Sequence, residues 1–187
     1  GTGARAALAT VLLVIGTRAL EEEGSLEDQL MNVCALGKVE EARVLLDQGA
    51  NVNMESDEGE TPLHVSSIHG AMDVAKLLIE RGADVNKRTH GKHSLAMAPL
   101  HWFMFMKGCT DGVQALVDAG AKVNDICWTE EGGFITALDI ADKLGEARLK
   151  EKEMLMAAGA KRYADMTEKE RSAHAPPENS GPDSSLI

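Results

Sequence analysis

The chain has 187 residues, a net charge of −11 and only 3% aromatic residues. This charge disfavours nucleic acid as the main partner, because phosphate backbones bind basic surfaces. The length is sufficient for one domain with a substantial core. Three widely spaced cysteines, Cys34, Cys109 and Cys127, form no C-x-x-C pair, which favours a reducing, cytoplasmic location over a disulfide framework.

The first 24 residues contain an apolar run, Ala6 to Ile15, that is too short for a membrane span, which needs about 20 residues. Two interpretations of this segment stay open. Its length and the preceding Arg5 are typical of a targeting or anchor remnant. Its Gly16 precedes Gly49 by 33 residues, which favours a degenerate repeat or capping helix. The absence of an initial Met suggests a fragment or a processed terminus.

Residues 25–56 form the first clear two-helix unit. One predicted helix begins at a cap, Ser25 or Asp28, and ends at Gly37, and a second ends at Gly49. Each glycine can adopt the left-handed conformation that ends a helix. Helices this short cannot bury their apolar faces alone, so the unit needs a neighbour of the same kind.

Residues 57–92 contain the most regular copy of this unit. Thr61 can cap a helix with its hydroxyl, and Pro62 is fixed near the helical φ, so a helix is predicted to begin here and to end before Gly70. A second helix with apolar residues at helical spacing is predicted to end at Gly82, which lies 33 residues after the glycine that ends the previous unit.

The segment Thr61-Pro62-Leu63-His64, followed by Gly82-Ala83-Asp84, resembles the ankyrin repeat, whose signature is T-P-L-H-x-A. The resemblance implies an all-α fold, an α-solenoid of about four ankyrin repeats in which helix-turn-helix units carry β-hairpin finger loops. It also implies that the motif histidines are structural and bond to the backbone of the adjacent hairpin. The motif residues are Thr61, Pro62, Leu63, His64, Gly82, Pro99, Leu100 and His101.

The third copy, 94–130, and the fourth, 132–163, depart from the regular one. The third copy has a longer finger loop and a bulky run, Trp102 to Met106, in which Phe103 and Met104 stand where the family prefers small residues. The fourth has Asp139 in place of the motif histidine. An exposed charged face is predicted for its last helix, formed by Glu146, Arg148, Lys150, Glu151 and Lys152.

Residues 164–187 are predicted to be a disordered tail. The stretch from Thr167 to Ser172 could extend a frayed helix, but the stretch from Ala175 to Ser185 lacks apolar periodicity and is rich in Pro and Ser. Its last three residues, Ser185, Leu186 and Ile187, resemble a carboxy-terminal ligand of PDZ domains, which bind such peptides as an added strand.

The resemblance implies that the ends of the first helices and the finger tips line a concave groove. Aromatic residues and Met at exposed groove positions are typical interface anchors. The alternative is that an extra residue before Gly108 rotates the helix and buries Phe105 in the core. The predicted partner-binding residues are Asp57, Glu58, Ile68, His69, Phe105, Met106, Trp128 and Phe134.

The function predicted from these residues is a non-enzymatic adaptor that binds one protein as a monomer. We expect no cofactor and no catalytic residues, because the chain has no phosphate loop or nucleophile motif. His90 and His93 could begin a zinc site, but Cys109 and Cys127 stand alone, so a solvated finger tip is favoured. The alternative function is an interaction module of a longer enzyme or membrane protein that continues upstream of Gly1.

Overall fold

The computed structural model describes residues 24–90, 94–177 and 180–181. Most of these residues belong to short helices that follow one another in pairs, with a glycine in the turn of each pair. The helices are α1 (Leu26–Ala35), α2 (Val39–Asp47), α3 (Pro62–Ile68), α4 (Met72–Glu80), α5 (Pro99–Phe105), α6 (Thr110–Asp118), α7 (Ala137–Leu144), α8 (Leu149–Ala157) and α9 (Glu168–His174). One 3-10 turn, Gly145–Arg148, precedes α8, and another, Tyr163–Asp165, precedes α9.

The helix pairs stack in two layers. In the first layer α1, α3, α5 and α7 each contact the next, and in the second layer α2, α4, α6 and α8 do the same. Every first-layer helix also packs on its second-layer partner. The architecture is therefore a helix-turn-helix repeat solenoid, and one continuous apolar cluster runs through it from Leu30 to Leu155.

Helix α3 begins and ends as its sequence predicts. The Thr61 hydroxyl accepts a hydrogen bond from the His64 amide at 3.4 Å, and Pro62 is the first helical residue. The helix ends before Gly70, whose φ of 66° lies in the left-handed region. The next helix, α4, then buries Val74, Leu77 and Leu78 against the core.

A row of asparagine side chains bonds each pair to the next, and sequence reasoning missed it. Each asparagine lies four residues after the glycine that ends a second-layer helix. The side-chain NH₂ of each asparagine donates to the carbonyl of the glycine that ends the second helix of the following pair. Its side-chain oxygen accepts from the backbone N–H of the residue two positions after that glycine. The bonds are Asn53 to Gly82 and Asp84, Asn86 to Gly120 and Lys122, and Asn124 to Gly159 and Lys161, at 2.7 to 3.2 Å.

Between α6 and α7 the chain forms an antiparallel hairpin of β1 (Ile126–Trp128) and β2 (Phe134–Thr136). Its register pairs Ile126 with Thr136, Cys127 with Ile135, and Trp128 with Phe134. Because strand side chains alternate between faces, Cys127 and Ile135 lie on one face while Trp128 and Phe134 lie on the other. This hairpin is the only two-stranded sheet in the described ranges.

The prediction of disorder from residue 164 is wrong for the described part of that segment. Residues 168–174 form α9, which has a capping box between Thr167 and Glu170. The following residues bond to the repeat stack, since Arg88 donates to the carbonyls of His174 and Ala175. Apolar periodicity missed this arrangement because polar and backbone groups hold the segment in place.

The predictions for residues 1–23 and for a PDZ ligand at Ser185, Leu186 and Ile187 lie outside the described residues. Within the described part of the chain, every helix is too short or too polar to cross a membrane.

Candidate functional site

A cleft of about 520 Å³ lies between α5, α7 and the hairpin. We call it the α5–α7 cleft. Its walls are mainly apolar, with charged side chains on the finger and at the end of α7. The lining residues are Leu95, Met97, Trp102, Phe105, Cys127, Trp128, Thr129, Glu130, Glu131, Ile135, Ile140, Lys143 and Leu144.

The bulky run of α5 is divided between the core and the cleft. Phe103 and Met104 are fully buried, whereas Phe105 is 47% exposed. Trp102 lies three residues before Phe105, so the helical period places both on the same side of α5, and both line the cleft. The extra residue before Gly108 therefore does not bury Phe105.

Arg148 binds the end of α5. The prediction of an exposed charged face on the last helix of the fourth copy is wrong for Arg148 and Glu151. The Arg148 side chain is buried, and it donates to the carbonyls of Met104 at 2.8 Å and Met106 at 2.6 Å. These carbonyls have no partner within the helix, so the guanidinium satisfies them. Glu151, also buried, accepts from the Thr110 hydroxyl at 2.5 Å. Burial acts to raise the pKa of Glu151, but its hydrogen bonds, that from Thr110 foremost, and the charge of Arg148 lower it.

Trp102 has a buried indole nitrogen, Nε1, with no hydrogen-bond partner in the described part of the chain. An unpaired buried donor costs about 1–3 kcal/mol. Burial of the large ring in the cleft wall offsets this cost, because it removes apolar surface from water.

The hairpin presents its two faces to different surroundings. Cys127 and Ile135 line the α5–α7 cleft. Phe134, on the other face, lies with its ring centroid 4.4 Å from that of Trp128 and 5.5 Å from that of Tyr163. Trp128 contributes to the cleft wall as well, whereas Phe134 does not.

Of the predicted partner-binding residues, only Phe105 and Trp128 meet in the cleft. Asp57 and Glu58 are exposed at the tip of the finger that precedes α3, and His69 is exposed at the end of α3. Ile68 and Met106 are partly buried, and the Met106 side chain packs against the turn at Gly70. The remaining residue, Phe134, lies on the far face of the hairpin.

Leu144 and Lys143 belong to the cleft and were missed by the sequence prediction. Leu144 is 38% exposed, and Lys143 is exposed beside it. Aligning Leu138 with Leu100 in the motif places Lys143 and Leu144 at the positions of Phe105 and Met106. The family resemblance implies that the ends of the first helices line the groove, and the same reasoning applied to the fourth copy would have identified both residues.

The motif histidines join each first-layer helix to the next finger. The Nδ1 of His64 accepts from the Thr61 amide at 3.1 Å, so its Nε2 carries the proton and donates to the Met97 carbonyl at 3.1 Å. His101 repeats this with the Asp125 carbonyl at 3.1 Å. Burial lowers the pKa of His64 to about 4 and also lowers the pKa of His101. Both rings are therefore neutral near pH 7, and the bonds are those that the family resemblance implies.

Asp139 takes the histidine position in the fourth copy, and its partners explain the substitution. One carboxylate oxygen accepts from the Thr136 amide and from the Tyr163 amide, each at 2.9 Å. The segment that follows this copy thus presents an N–H, where the previous fingers present a carbonyl. An acceptor is therefore needed in place of a donor.

His93, the second histidine of the zinc alternative, lies outside the described residues. In the described residues, no three His, Cys, Asp or Glu side chains are grouped to bind a metal ion. Burial raises the pKa of Cys109 to about 11 and that of Cys127 to about 12, which disfavours the thiolate that a metal or a nucleophilic reaction requires. His90 instead contacts Glu55 of the preceding finger, with 3.0 Å between Nε2 and the carboxylate.

Comparison with known families matches residues 6–89 to ankyrin repeats (3 copies). The matched range begins inside the segment 1–24, for which the sequence left a repeat and a targeting remnant open. A comparison with curated proteins gives no match.

Proposed function

We propose that this chain, whose residues 6–89 match ankyrin repeats, belongs to the ankyrin repeat family, binds a protein partner in the α5–α7 cleft and acts as a non-enzymatic adaptor. Ankyrin repeats are generally modules of protein–protein interaction and are typically non-catalytic. The family supports this class of function but does not identify the cleft. The exposure and charge of the residues that line the cleft support this location.

The observation that supports the cleft is the exposure of two large apolar side chains on one apolar wall. Phe105 is 47% exposed and Leu144 is 38% exposed, and both line the same cleft. Grouped apolar exposure in a concave site is typical of interfaces, whereas single exposed apolar residues need no explanation. A partner that covers both side chains would remove their apolar surface from water.

The shape and charge of the cleft favour a short protein segment with a few apolar side chains. A volume of about 520 Å³ can hold two or three such side chains, and aromatic anchors in such sites dominate binding energies. Glu130 and Glu131 lie on the finger side, and Lys143 lies on the side of α7. Charges of opposite sign on the two rims would orient the bound segment and select its direction.

The proposed footprint also includes the predicted residues that lie along the stack before the cleft. Helix α3 contacts α5, and aligning Leu63 with Leu100 places Ile68 and His69 at the positions of Phe105 and Met106. Asp57 and Glu58 lie on the preceding finger. We infer that these four residues and Met106 form the outer part of the same interface.

We further propose that the solenoid comprises four ankyrin repeats over residues 25–163. Three asparagines support this extent, because they connect four consecutive helix pairs, α1–α2, α3–α4, α5–α6 and α7–α8. The row ends at Tyr163, which occupies the position four residues after Gly159 where the earlier copies have asparagine.

A pair of leucines provides the test of the cleft. Leu144 and Leu149 are both exposed, at 38% and 52%, but only Leu144 lines the cleft. Partners captured from a cell lysate by the intact chain should be lost with Phe105→Ala or Leu144→Ala and retained with Leu149→Ala. Quantitative mass spectrometry of the captured proteins measures this difference. Equal capture by all variants would exclude the cleft as the binding site.

A further inference from the structure

The outer face of the β1–β2 hairpin, which shares Trp128 with the α5–α7 cleft, is contacted by the segment that follows α9. We call this face the outer finger surface and define it by Arg88, Ser94, Trp128, Phe134 and Tyr163. Residues 174–177 and 180–181 lie against it. Their contacts are mostly to backbone atoms, which resembles the recognition of a peptide more than the packing of a core.

Arg88 binds one end of this segment. Its Nη1 donates to the Ala175 carbonyl at 2.7 Å, and its Nη2 donates to the His174 carbonyl at 2.8 Å. Asp125 holds the guanidinium in place, with 2.9 Å between the charged atoms and side-chain exposures of only 14% and 6%. Arg88, held in position by Asp125, therefore donates hydrogen bonds to the carbonyls of two consecutive residues. The Nδ1 of His174 also lies 3.3 Å from Asp125.

The bound segment has the conformation of a polyproline II helix at this point. Ala175 has φ −57° and ψ 147°, close to the polyproline II values of about −75° and +145°. Pro176 and Pro177 follow, and a residue that precedes proline is restricted to this region. Ala175 and Pro176 line a shallow cleft of about 470 Å³ together with Phe134 and Tyr163. Ala175 and Pro176 thus form one part of the wall of this cleft and the two aromatic rings form another. Grooves lined by aromatic residues bind preformed proline-rich segments at low entropic cost.

Trp128 binds the other end of the segment and requires a small residue there. Its indole Nε1 donates to the Ser180 hydroxyl at 3.2 Å, and the Gly181 amide donates to the Ser94 carbonyl at 2.9 Å. Gly181 has φ 128°, and a Cβ at this position would lie 2.9 Å from Cε2 of the Trp128 ring. Any larger residue would therefore be strained and would collide with the indole.

We propose that the outer finger surface is a binding site for extended, proline-containing protein segments, and that residues 174–177 and 180–181 of the same chain occupy it in competition with such a partner. The surface binds two backbone carbonyls, a residue in the polyproline II conformation and a glycine, and a partner segment can have all of these features. A tethered segment acts at an effective concentration in the millimolar range. Only a partner of higher affinity, or release of the chain's own segment, would open the site.

The test uses the full-length chain with residues 174–181 replaced by a Gly-Ser sequence of equal length. The probe is a synthetic peptide with the sequence of residues 172–182. Binding is followed by NMR through the indole N–H resonance of Trp128, one of two tryptophans in the chain. We expect saturable one-to-one binding to the replaced chain and at least tenfold weaker apparent binding to the wild-type chain, in which the segment competes.

Matched variants separate recognition from nonspecific adhesion. Arg88→Gln in the replaced chain should weaken peptide binding about tenfold or more, as expected for hydrogen bonds from a charged donor. Arg81→Gln should leave it unchanged, because Arg81 pairs with Asp47 at an exposed position. A peptide with Gly181→Val tests the same contact without altering the protein. A folded replaced chain that does not bind the peptide, or equal binding of both peptides, would overturn the proposal.

Discussion

Helix pairs α3–α4 and α5–α6 fill the space between their two helices with side chains of opposite size: small residues on the first-layer helix in one pair, and large residues on it in the other. In the first pair, the small residues Ser66 and Ser67 are fully buried in the first-layer helix. In the second pair, Phe103 and Met104 are buried at the corresponding positions. Across from them the volumes reverse, since Val74 of the first pair corresponds to Gly112 of the second when the starts of α4 and α6 are aligned.

The contacts explain why both arrangements are stable. The Ser66 and Ser67 hydroxyls donate to the Leu63 carbonyl at 2.9 and 2.6 Å, so no buried hydroxyl is left unpaired. A Cβ on Gly112 would lie only 2.8 Å from the Phe103 ring. Glycine inside a helix costs roughly 1 kcal/mol relative to alanine, and the burial of Phe103 offsets that cost. The repeat fold thus constrains the summed volume between two helices more than the volume of either residue.

The largest effect should come from Phe103→Ala, which leaves a cavity beside Gly112. Truncating a buried phenylalanine typically costs about 3–5 kcal/mol. Urea unfolding followed by circular dichroism would measure the loss, with Met156→Ala as the exposed control, since Met156 is 53% exposed.

The double variant Phe103→Ser and Gly112→Val would place at these two positions of α5–α6 the small and large side chains that α3–α4 has there, Ser66 and Val74. Gly112→Val alone should destabilise by about 1–3 kcal/mol through overpacking. The double variant should be more stable than the sum of the two single changes predicts, by roughly 1 kcal/mol or more. Strict additivity would show that the two positions do not share one volume.

Acidification should destabilise the pair that contains His64. The unfolded histidine has a pKa of about 6.5, whereas burial lowers the pKa of the folded one to about 4. The unfolded state therefore binds more protons between these values, and stability is complete above about pH 6.5 and falls as the pH falls. The loss from His64 between about pH 7 and pH 5 is roughly 2 kcal/mol. His101 acts in the same direction.

Unfolding free energies from urea titrations at the two pH values would measure this loss, and His64→Gln provides the control. Glutamine keeps a donor for the finger carbonyl but does not titrate. Its variant should be less stable at neutral pH and should lose less on acidification. An unchanged pH dependence in His64→Gln would show that other groups cause the acid sensitivity.

The sequence predicted the regular copy well because its signals are local. Thr61, Pro62 and Gly70 act within one helix, and the structure confirms the bounds that they predict. The sequence left open whether Phe105 faces the groove or the core, because the end of α5 is bound by Arg148, which lies 42 residues beyond Met106 in the chain. The ordered segment after α9 depends similarly on Arg88, a contact across 86 residues. Such contacts leave no periodic pattern in the sequence.

Asp139 offers a comparison of donor and acceptor at one position of the repeat. Asp139→His would place the donor of the earlier copies opposite the Tyr163 amide, and Asp139→Asn would keep an acceptor oxygen without the charge. We expect the histidine variant to lose about 1–2 kcal/mol, because the Thr136 and Tyr163 amides lose their acceptor. The asparagine variant should lose about half as much. Thermal unfolding of the two variants measures the order, and the reverse order would contradict this account of the substitution.

The smallest effect on stability should come from Phe105→Ala, although this residue is two positions from Phe103. With 47% of its surface exposed, the ring contributes little to the core, and exposed substitutions usually change stability by no more than about 0.5 kcal/mol. The same variant should abolish partner capture if the cleft is the binding site. Unfolding midpoints for Phe105→Ala and Phe103→Ala, measured side by side, would test the division of α5 into a core side and a binding side. A loss of more than about 2 kcal/mol in Phe105→Ala would place Phe105 in the core and remove the main support for the cleft.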